Sequence, residues 1–508
     1  MDEFSNRISS PLLNRIISLI PEDEPVYLVG GAIRDALLNR PNYDLDFVIP
    51  GDAMKLARQI GNSLGAAYFP LDTNRNMARL VLKTDIAANL ENGTTRRIDF
   101  STFQGADLIA DLEGRDFPMN AMAVEVHDLS SLIDPLGGAA DLTRKYLRSC
   151  TRSSFTQDPV RILRAVRFSV ELNLKIHPDT LQCIRQAVDL LPGVSPERIR
   201  DELFRILTQS NPSSSVRILD KLNVLEYILP EIVRLKNIQQ SPPHIQDAWE
   251  HSLDTLARLE NLIEFLTKDH NPNNTGNLML GLVALRIGRY RQHLIEHFQN
   301  SINPDRPQRG ILILAGLYHD VGKAMTQKLD ENGKIRFFEH EHVGRELVEK
   351  RAKALKLSSQ EIERVVTIVK HHMRPSLLSH SDEFPSKKAV YRFFHDTREV
   401  GVDICILSLA DVLATYGTTL SQERWAKHLD VIRELLKAWF EERTERIYPT
   451  PLINGDELME ELNLAQGPIV GYLLEALREA QVTGDIHTQS EALDLAMHLL
   501  QDNAIKTG

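Results

Sequence analysis

Tyr27-Leu28-Val29-Gly30-Gly31-Ala32-Ile33-Arg34-Asp35, followed closely by Tyr43-Asp44-Leu45-Asp46-Phe47-Val48-Ile49, decides the fold of the first part of the chain. An apolar β-type run ends in two glycines and gives way to a helical pattern, so the first stretch reads as strand, tight turn and helix. Glycines let a backbone approach a phosphate closely, and free amides at a helix start favour an anion. Gly30, Gly31 and the forked donor Arg34 are therefore candidates for holding a polyphosphate. In the second stretch side chains alternate faces, which puts Asp44 and Asp46 on one face roughly 6 to 7 Å apart. Two carboxylates so placed repel unless a cation joins them, and Mg2+ takes oxygen ligands together with substrate phosphates. The apolar Phe47-Val48-Ile49 that follows argues for a partly buried strand rather than a solvated one. Asp99, within Arg97-Ile98-Asp99-Phe100, is a third carboxylate on an alternating run and reads equally well as an edge-strand charge.

Outward from these stretches, Val26–Val29, Leu45–Ile49, Arg79–Lys83, Arg97–Phe103 and Ala121–Val126 read as strands, and Ala32–Leu38 and Ala53–Leu64 as helices. Beyond Asp134-Pro135-Leu136-Gly137-Gly138 the β signal fades, and from Pro159 onward the pattern is helical. Breaks at Ser241-Pro242-Pro243, Asn271-Pro272-Asn273-Asn274, Pro304 to Pro307 and before Pro449 complete the punctuation. The division expected is a head over 1–135, a neck over 136–235, a third segment over 236–445 and a tail over 446–508.

The 508 residues carry 59 Lys+Arg against 70 Asp+Glu, a net charge of −11, with 42% hydrophobic residues. That composition is ordinary for a soluble globular protein of about three domains, and no run is expected to reach the ~18 apolar residues of a membrane span. The N-terminus shows no basic region followed by an apolar core, so no secretory signal is expected. Cys150, Cys183 and Cys405 are odd in number and far apart, which suits a reducing cytoplasm. The acidic total argues against a simple nucleic-acid coat, yet the charge is unevenly spread. Residues 1–135 hold 12 basic and 20 acidic side chains, and residues 136–235 hold 15 and 11, so the neck alone is basic.

Further motifs follow in order: Gly114-Arg115-Asp116-Phe117-Pro118-Met119-Asn120-Ala121-Met122-Ala123, then Asp134 to Gly138, then Asp158-Pro159-Val160-Arg161-Ile162-Leu163-Arg164-Ala165-Val166-Arg167-Phe168, and Ser195-Pro196-Glu197-Arg198-Ile199-Arg200-Asp201-Glu202-Leu203. Together with the opening stretches, this series resembles the class II tRNA nucleotidyltransferases and bacterial poly(A) polymerases over about 200 residues. The resemblance implies an α+β head with a small mixed sheet. It assigns metal binding and catalysis to Asp44 and Asp46, the triphosphate to Gly30, Gly31 and Arg34, and the incoming ribose and phosphates to Arg115, Asp116 and Asn120. Mg2+ in the head would support in-line attack of an RNA 3′ hydroxyl on the α-phosphate, with pyrophosphate leaving.

In the neck, Pro159 suits the first turn of a helix and Asp158 its N-cap. Val160, Leu163 and Val166 recur on one side, leaving Arg161, Arg164 and Arg167 on another. Asp158 can accept from an amino group while Arg161 donates to ring or carbonyl acceptors, so protein side chains could stand in for a template base. Gln157-Asp158 replaces the Glu-Asp common in the family. Only 15 residues separate Asp99 from Arg115, whereas relatives that add a full C-C-A end resemble one another in a longer flexible loop there, associated with switching from CTP to ATP. The short connection favours CC addition and leaves ATP use open.

In the third segment 12 of the 17 histidines fall between His244 and His395, which points to metal chemistry there. Trp249-Glu250-His251, His319-Asp320-Val321-Gly322-Lys323, His340-Glu341-His342, His371-His372 and Leu409-Ala410-Asp411 are similar to the ligand series of the HD phosphohydrolase superfamily. That resemblance implies an all-α body with an HD-type domain, in which His251, His319, Asp320 and Asp411 hold a divalent metal of unspecified identity. His340 and His371 are the candidates for a second ion. Leu452-Ile453-Asn454-Gly455-Asp456-Glu457-Leu458 and a helix over Ile469–Ala480 resemble the C-terminal body of the same nucleotidyltransferases. The function expected is template-independent addition of CMP to a tRNA 3′ end by a cytoplasmic enzyme without a membrane partner. Poly(A) synthesis, or an HD hydrolase with a non-catalytic RNA-binding head, are the alternatives. The oligomeric state is not readable.

Overall fold

Seven strands form one mixed sheet in the computed structural model, which describes residues 3–41, 44–82, 97–268, 277–303, 306–380 and 384–507. They are β1 (Tyr27–Val29), β2 (Asp44–Ile49), β3 (Ala67–Asp72), β4 (Met77–Val81), β5 (Arg97–Thr102), β6 (Ala123–Glu125) and β7 (Asp128–Ile133), in the order β3-β4-β5-β2-β1-β6-β7. Among these neighbours β2 and β5 run parallel, and the remaining pairs are antiparallel. The parallel register sets Asp46 opposite Asp99 and Phe47 opposite Phe100, whose rings stack at 4.9 Å. Burying each phenylalanine stabilises the sheet by about 1.5–3 kcal/mol. Helix α1 (Gly31–Leu37) follows β1, and α2 (Ala53–Leu64) starts where the Asp52 carboxylate accepts the Lys55 N–H and ends at Gly65, φ 64°.

The five strands expected from the sequence are present, although Lys83, the end of one of them, lies outside the described residues, as do Asn271–Asn274 and Pro304. The strands that sequence reading missed, β3 and β7, are the two edges of the sheet. Mostly exposed, with Pro70 in one and Ser130-Ser131 in the other, they lack the apolar alternation that marks inner strands.

Asp134 explains the Asp-Pro-Leu-Gly-Gly motif. Its two carboxylate oxygens accept the N–H groups of Gly138 (2.7 Å) and Ala139 (3.0 Å) and so start α4 (Gly138–Arg144), which follows the short α3 (Leu108–Glu113) in chain order. The neck helix α5 (Arg161–Glu171) buries Ile162, Leu163, Val166 and Phe168. Asp158 is not its N-cap as expected. The helix begins two residues later than Pro159, and the Asp158 carboxylate turns instead to Arg198 at 2.8 Å.

The chain divides into two compact units, one running to Glu202 with Lys221–Ile228 added, the other comprising Leu203–Asp220 and Leu229–Gly508. The second unit is built on α6 (Ala248–Thr267), α7 (Gln308–Tyr318), α8 (His340–Ala354), α9 (Ser359–His371), α10 (Arg374–His380), α11 (Val400–Tyr416) and α12 (Gln422–Phe440). It is not wholly helical, because β8 (Gln327–Leu329) and β9 (Ile335–Phe337) form a hairpin too short and exposed to stand out in the sequence. One stretch, Val400–Thr419, reaches membrane-span length and apolarity, contrary to expectation, but 72% of its apolar window is buried inside the protein. It is the central core helix of this unit. Ile453, Leu458, Leu473, Leu477, Ile486 and Ala496 gather in a separate small core near the C-terminus.

A Cβ at Gly138 would lie 2.2 Å from the Pro118 carbonyl oxygen and 2.9 Å from the Met119 nitrogen, both backbone atoms that cannot swing away. Gly138→Ala is expected to lower head stability by about 1–3 kcal/mol in urea unfolding, a far larger loss than Gly193→Ala, where nothing lies within 4 Å.

Candidate functional site

Gly30 is the point where the head cleft closes up. Its φ of 76° disfavours other residues, and a Cβ there would stand 3.4 Å from Arg115 Nη1, 3.6 Å from Asp46 Oδ2 and 3.8 Å from the Asn120 carbonyl. The turn after β1 therefore meets the β2 carboxylates and the Arg115–Asn120 segment at one place. From this point a chain of polar contacts runs outward. Arg34 is buried, bonded to the Asp35 carboxylate at 2.9 and 3.0 Å and to Asn120 Oδ1 at 2.7 Å. Asn120 Nδ2 donates to Asp116 Oδ1 at 3.2 Å, and Asp116 Oδ2 accepts from Arg164 Nη2 at 2.6 Å. Arg164 and Arg167 both reach the buried Glu202, at 3.4 and 2.9 Å. Arg34, Arg164 and Arg167 all stand over the Phe168 ring, within 5.5 Å of its centroid.

The structure thus brings together Gly30, Gly31, Arg34, Asp46, Arg115, Asp116, Asn120 and Arg164, with Asp44 exposed two positions before Asp46 on β2. The neck arginines do not form one base-reading row. Arg161 donates to the carbonyls of Gly114 (2.9 Å) and Arg115 (3.2 Å), while Arg164 and Arg167 are committed to carboxylates. Asp158 and Arg161 approach at 3.8 Å, with Arg198 on the Asp158 carboxylate. Sequence reasoning missed Arg198 as a partner, and also Arg79, which grips Asp99 with two 2.8 Å bonds. Arg79 lies directly across from Asp99 in the β4–β5 register, a pairing invisible until strand order is known.

Electrostatically the two key carboxylates differ. Burial, then the neighbouring charge of Asp99, pushes Asp46 up to about 6, with Arg115 opposing. Burial would also raise Asp116, but the Arg164 guanidinium and the bonds from Asn120 and the Phe117 N–H outweigh it and hold Asp116 below the usual range. Asp46 is a strained anion with Asp44 and Asp99 nearby, a donor set that fits a hard divalent cation.

The second unit carries a denser cluster. His251 on α6 stands 3.4 Å from Asp320 Oδ2 and 3.1 Å from Asp411 Oδ1 on α11. His319 Nε2 is 3.2 Å from Asp320 Oδ2 and 3.8 Å from Asp411 Oδ1. On the other side of Asp320, Oδ1 faces His340 Nε2 at 3.3 Å and His372 Nε2 at 3.7 Å. Rings are fixed from behind, since the Nδ1 atoms of His319, His340 and His372 bond the carbonyls of Gly316, Phe337 and Val369 at 2.7 to 2.9 Å. Each Nε2 is thereby left facing Asp320, where it can hydrogen-bond the carboxylate when protonated or offer its lone pair to a metal when not. Among the described residues His251 Nε2 and His319 Nε2 are buried with no hydrogen-bond partner, while Asp320 Oδ2 is met by Lys323 Nζ. Orphaned atoms of this kind fit a bound cation, and Asp320 belongs to both candidate triads, His251-His319-Asp320 and Asp320-His340-His372. Burial works against a charged Asp320, but His319 and Lys323, the latter 2.6 Å away, hold it well below the ordinary carboxylate value.

His371, expected at the second ion, is not in the cluster. His372 takes that place, because it continues the buried face of α9 through Val365, Ile368 and Val369 while His371 points elsewhere on the helix. That periodicity is legible in the sequence and distinguishes the two neighbours. A cleft of about 610 Å3 opens beside the cluster, its lining including Asp320, Asp411, His340, Lys334, Arg336 and Arg424.

Three family models match the chain: the poly A polymerase head domain over residues 26–148, the probable RNA- and SrmB-binding site of polymerase A over 173–235, and the HD domain over 278–416. An A-adding tRNA nucleotidyltransferase of Deinococcus radiodurans is 32% identical over 92% of this chain and 93% of its own length. A CC-adding tRNA nucleotidyltransferase of Thermus thermophilus is 30% identical, with 93% and 92% covered. Among solved structures, a CCA-adding enzyme in complex with CTP superposes with a TM-score of 0.59 at 22% identity, covering 98% of this chain and 97% of that one. The last of these is a likeness of fold.

For Asp46 the sign of the pH effect is fixed by its raised pKa. The native state holds this proton more tightly than the unfolded chain, so the stability it contributes is present below the ordinary value of 3.8 and lost as pH rises through about 6. In chelator, Asp46→Asn is expected to raise the midpoint of thermal unfolding at about pH 8 by a few degrees, an advantage that shrinks towards acid. For the second unit, Mn2+ is expected to raise the thermal midpoint by binding the native state. His372→Ala should remove most of that gain and His371→Ala should keep it; the reverse order would return His371 to the cluster.

Proposed function

The chain belongs to the tRNA nucleotidyltransferase family, and from that premise we propose that it extends the 3′ end of tRNA without a template, using CTP. The observation that carries the site assignment is the convergence of Asp46 and Arg115 on Gly30. Asp44 and Asp46 would hold the divalent cation, with Mg2+ the ion that suits their oxygens, and the cation would neutralise the charge that develops as the RNA 3′ hydroxyl displaces pyrophosphate. Gly30 and Gly31 leave room for the triphosphate to approach the backbone. Arg115, tied to Asp111 at 3.0 Å yet beside Gly30, supplies a cation at the phosphates. Asn120 and Asp116 present acceptors for ribose hydroxyls, and Arg164 fixes Asp116 rather than touching the nucleotide. Asp158 and Arg161 remain the pair assigned to the base edge, with Arg198 releasing Asp158 when an amino group replaces it.

CMP addition without AMP is the favoured specificity. The 15 residues between Asp99 and Arg115 are filled by the end of β5, a turn and α3, which leaves little chain for a mobile loop. The relatives include both A-adding and CC-adding enzymes and do not decide this point. The His/Asp cluster is proposed to be a second, phosphohydrolytic active site with His251, His319, Asp320, His340, His372 and Asp411 as ligands of a divalent metal. The four-part division at 135, 235 and 445 is retained as the working map. Three free cysteines and a tRNA substrate suit the cytoplasm.

The test is incorporation on tRNA ending at its discriminator base. Two CMP residues are expected with CTP alone and none with ATP alone, and Asp44→Ala or Asp46→Ala should lower the rate about a thousandfold or more. AMP added after two CMP residues would overturn the CC-only specificity, and an adenylate ladder would return poly(A) synthesis.

A further inference from the structure

A row of side chains crosses one face of the head sheet, from its edge to the candidate cation site. Asp46 on β2 stands across from Asp99 on β5, Asp99 across from Arg79 on β4, and Arg79 across from Phe69 on the edge strand β3. Side chains at matched positions of neighbouring strands project from the same face, and the strands lie about 4.8 Å apart. Asp99 is therefore one strand away from Asp46, and Arg79 is two. Their charges act in that order: burial first and then Asp99 raise Asp46, with Asp44 adding less and Arg79 opposing from farther off.

Three carboxylates so placed could all serve one cation, yet one of them is already engaged. Arg79 Nε donates to Asp99 Oδ1 and Nη2 donates to Asp99 Oδ2, each at 2.8 Å, so both oxygens are held in a forked pair. The guanidinium is planar and always charged, so it offsets the Asp99 charge while keeping the carboxylate in its row. The two side chains are 33% and 24% exposed, so Asp99 would be open to solvent ions once the fork was gone. Affinity for a hard cation depends on how many charged ligands reach it. Mg2+ commonly binds through one or two carboxylates and completes its shell with substrate phosphates. Phosphoryl transfer as proposed above gives neither Arg79 nor Asp99 a part, and the fork between them supplies one.

We propose that Arg79 is a positioning residue that withholds Asp99 from the cation, so that Asp44 and Asp46 alone hold the metal weakly and it settles only together with the triphosphate. The inference rests on the reading of Asp44 and Asp46 as the cation ligands. Metal and CTP then depend on each other, each strengthening the binding of the other by the same factor.

The experiment titrates Mn2+ into the full chain by calorimetry, without RNA, in the absence and presence of CTP, subtracting the Mn2+ held by free CTP. All proteins carry Asp320→Ala, which removes the carboxylate shared by both triads of the second unit, so the heat reports on the head. Arg79→Gln is expected to tighten Mn2+ binding without CTP about tenfold and to shrink the factor by which CTP strengthens it. Asp99→Asn should stay close to the parent value, and Arg79→Gln/Asp99→Asn should return to it, because no carboxylate is then left to release. A bracing role alone would loosen the site when Arg79 is lost. Unchanged or weaker binding in Arg79→Gln, a loss in Asp99→Asn as large as in Asp46→Asn, or a double variant as tight as Arg79→Gln overturns the proposal. Asp46→Asn tests the underlying reading separately and should abolish Mn2+ binding with or without Arg79. Binding that survives Asp46→Asn, or no binding in any protein even with CTP, sinks the cation assignment and the proposal with it. Binding that Asp46→Asn removes but Arg79→Gln leaves untouched sinks the proposal alone.

Discussion

Arg164 and Asp116 hold each other at 2.6 Å with both groups largely out of water, and the head cleft is arranged around that ion pair. Removing one partner of a buried pair typically costs about 3–5 kcal/mol, because the other charge is left uncompensated. Here the consequence is also geometric. Asp116 orients Asn120, Asn120 orients Arg34, and Arg164 shares Glu202 with Arg167. A single charge thus ties the Arg115-Asp116 motif of the head to the neck helix and to the Ser195–Leu203 motif. Motifs that look like separate ligand sets in the sequence are one network in which some members bind and others brace.

The two candidate metal centres solve the problem of buried carboxylates in opposite ways. At Asp46 the neighbours Asp44 and Asp99 add repulsion, Arg79 is spent on Asp99, and the proton is held to about 6. The site is short of positive charge, as a place for a hard cation and a triphosphate should be. Asp320 is instead surrounded by Lys323 and four histidines, and stays ionised despite full burial. Four imidazoles gathered around one carboxylate form a donor set that a divalent metal would fit.

Much of this was legible in the sequence, for identifiable reasons. Alternation gave the inner strands and the Asp44/Asp46 pair, because inner strands bury one face completely. Edge strands β3 and β7 bury little and left no pattern. Spacing alone could not show which arginine touches what: Arg161, Arg164 and Arg167 share a helical face, but only the fold reveals that carboxylates and carbonyls from other segments already occupy them. Asp158 looked like a cap because Asp-Pro commonly is one, and the distant Arg198 won its carboxylate instead. His371 and His372 could have been told apart by the apolar period of α9.

The charge distribution takes on a different meaning once the contacts are known. The neck is the basic segment, but many of its arginines are already paired: Arg148 is on Asp141, and of the motif arginines Arg164 is on Asp116, Arg167 on Glu202, Arg198 on Asp158 and Arg200 on Asp201. Among the described residues, Arg144, Lys145, Arg152, Lys175 and Arg185 are exposed and carry no ion pair. Lys145 is brought near Lys175 by the pairing of Tyr146 with Lys175, whose N–H donates to the Lys145 carbonyl. Phosphate contacts that release counterions require such unpaired cations, whereas paired ones are already neutralised. These unpaired cations lie outside the motifs, whereas Arg164 and Arg167 within them brace the cleft.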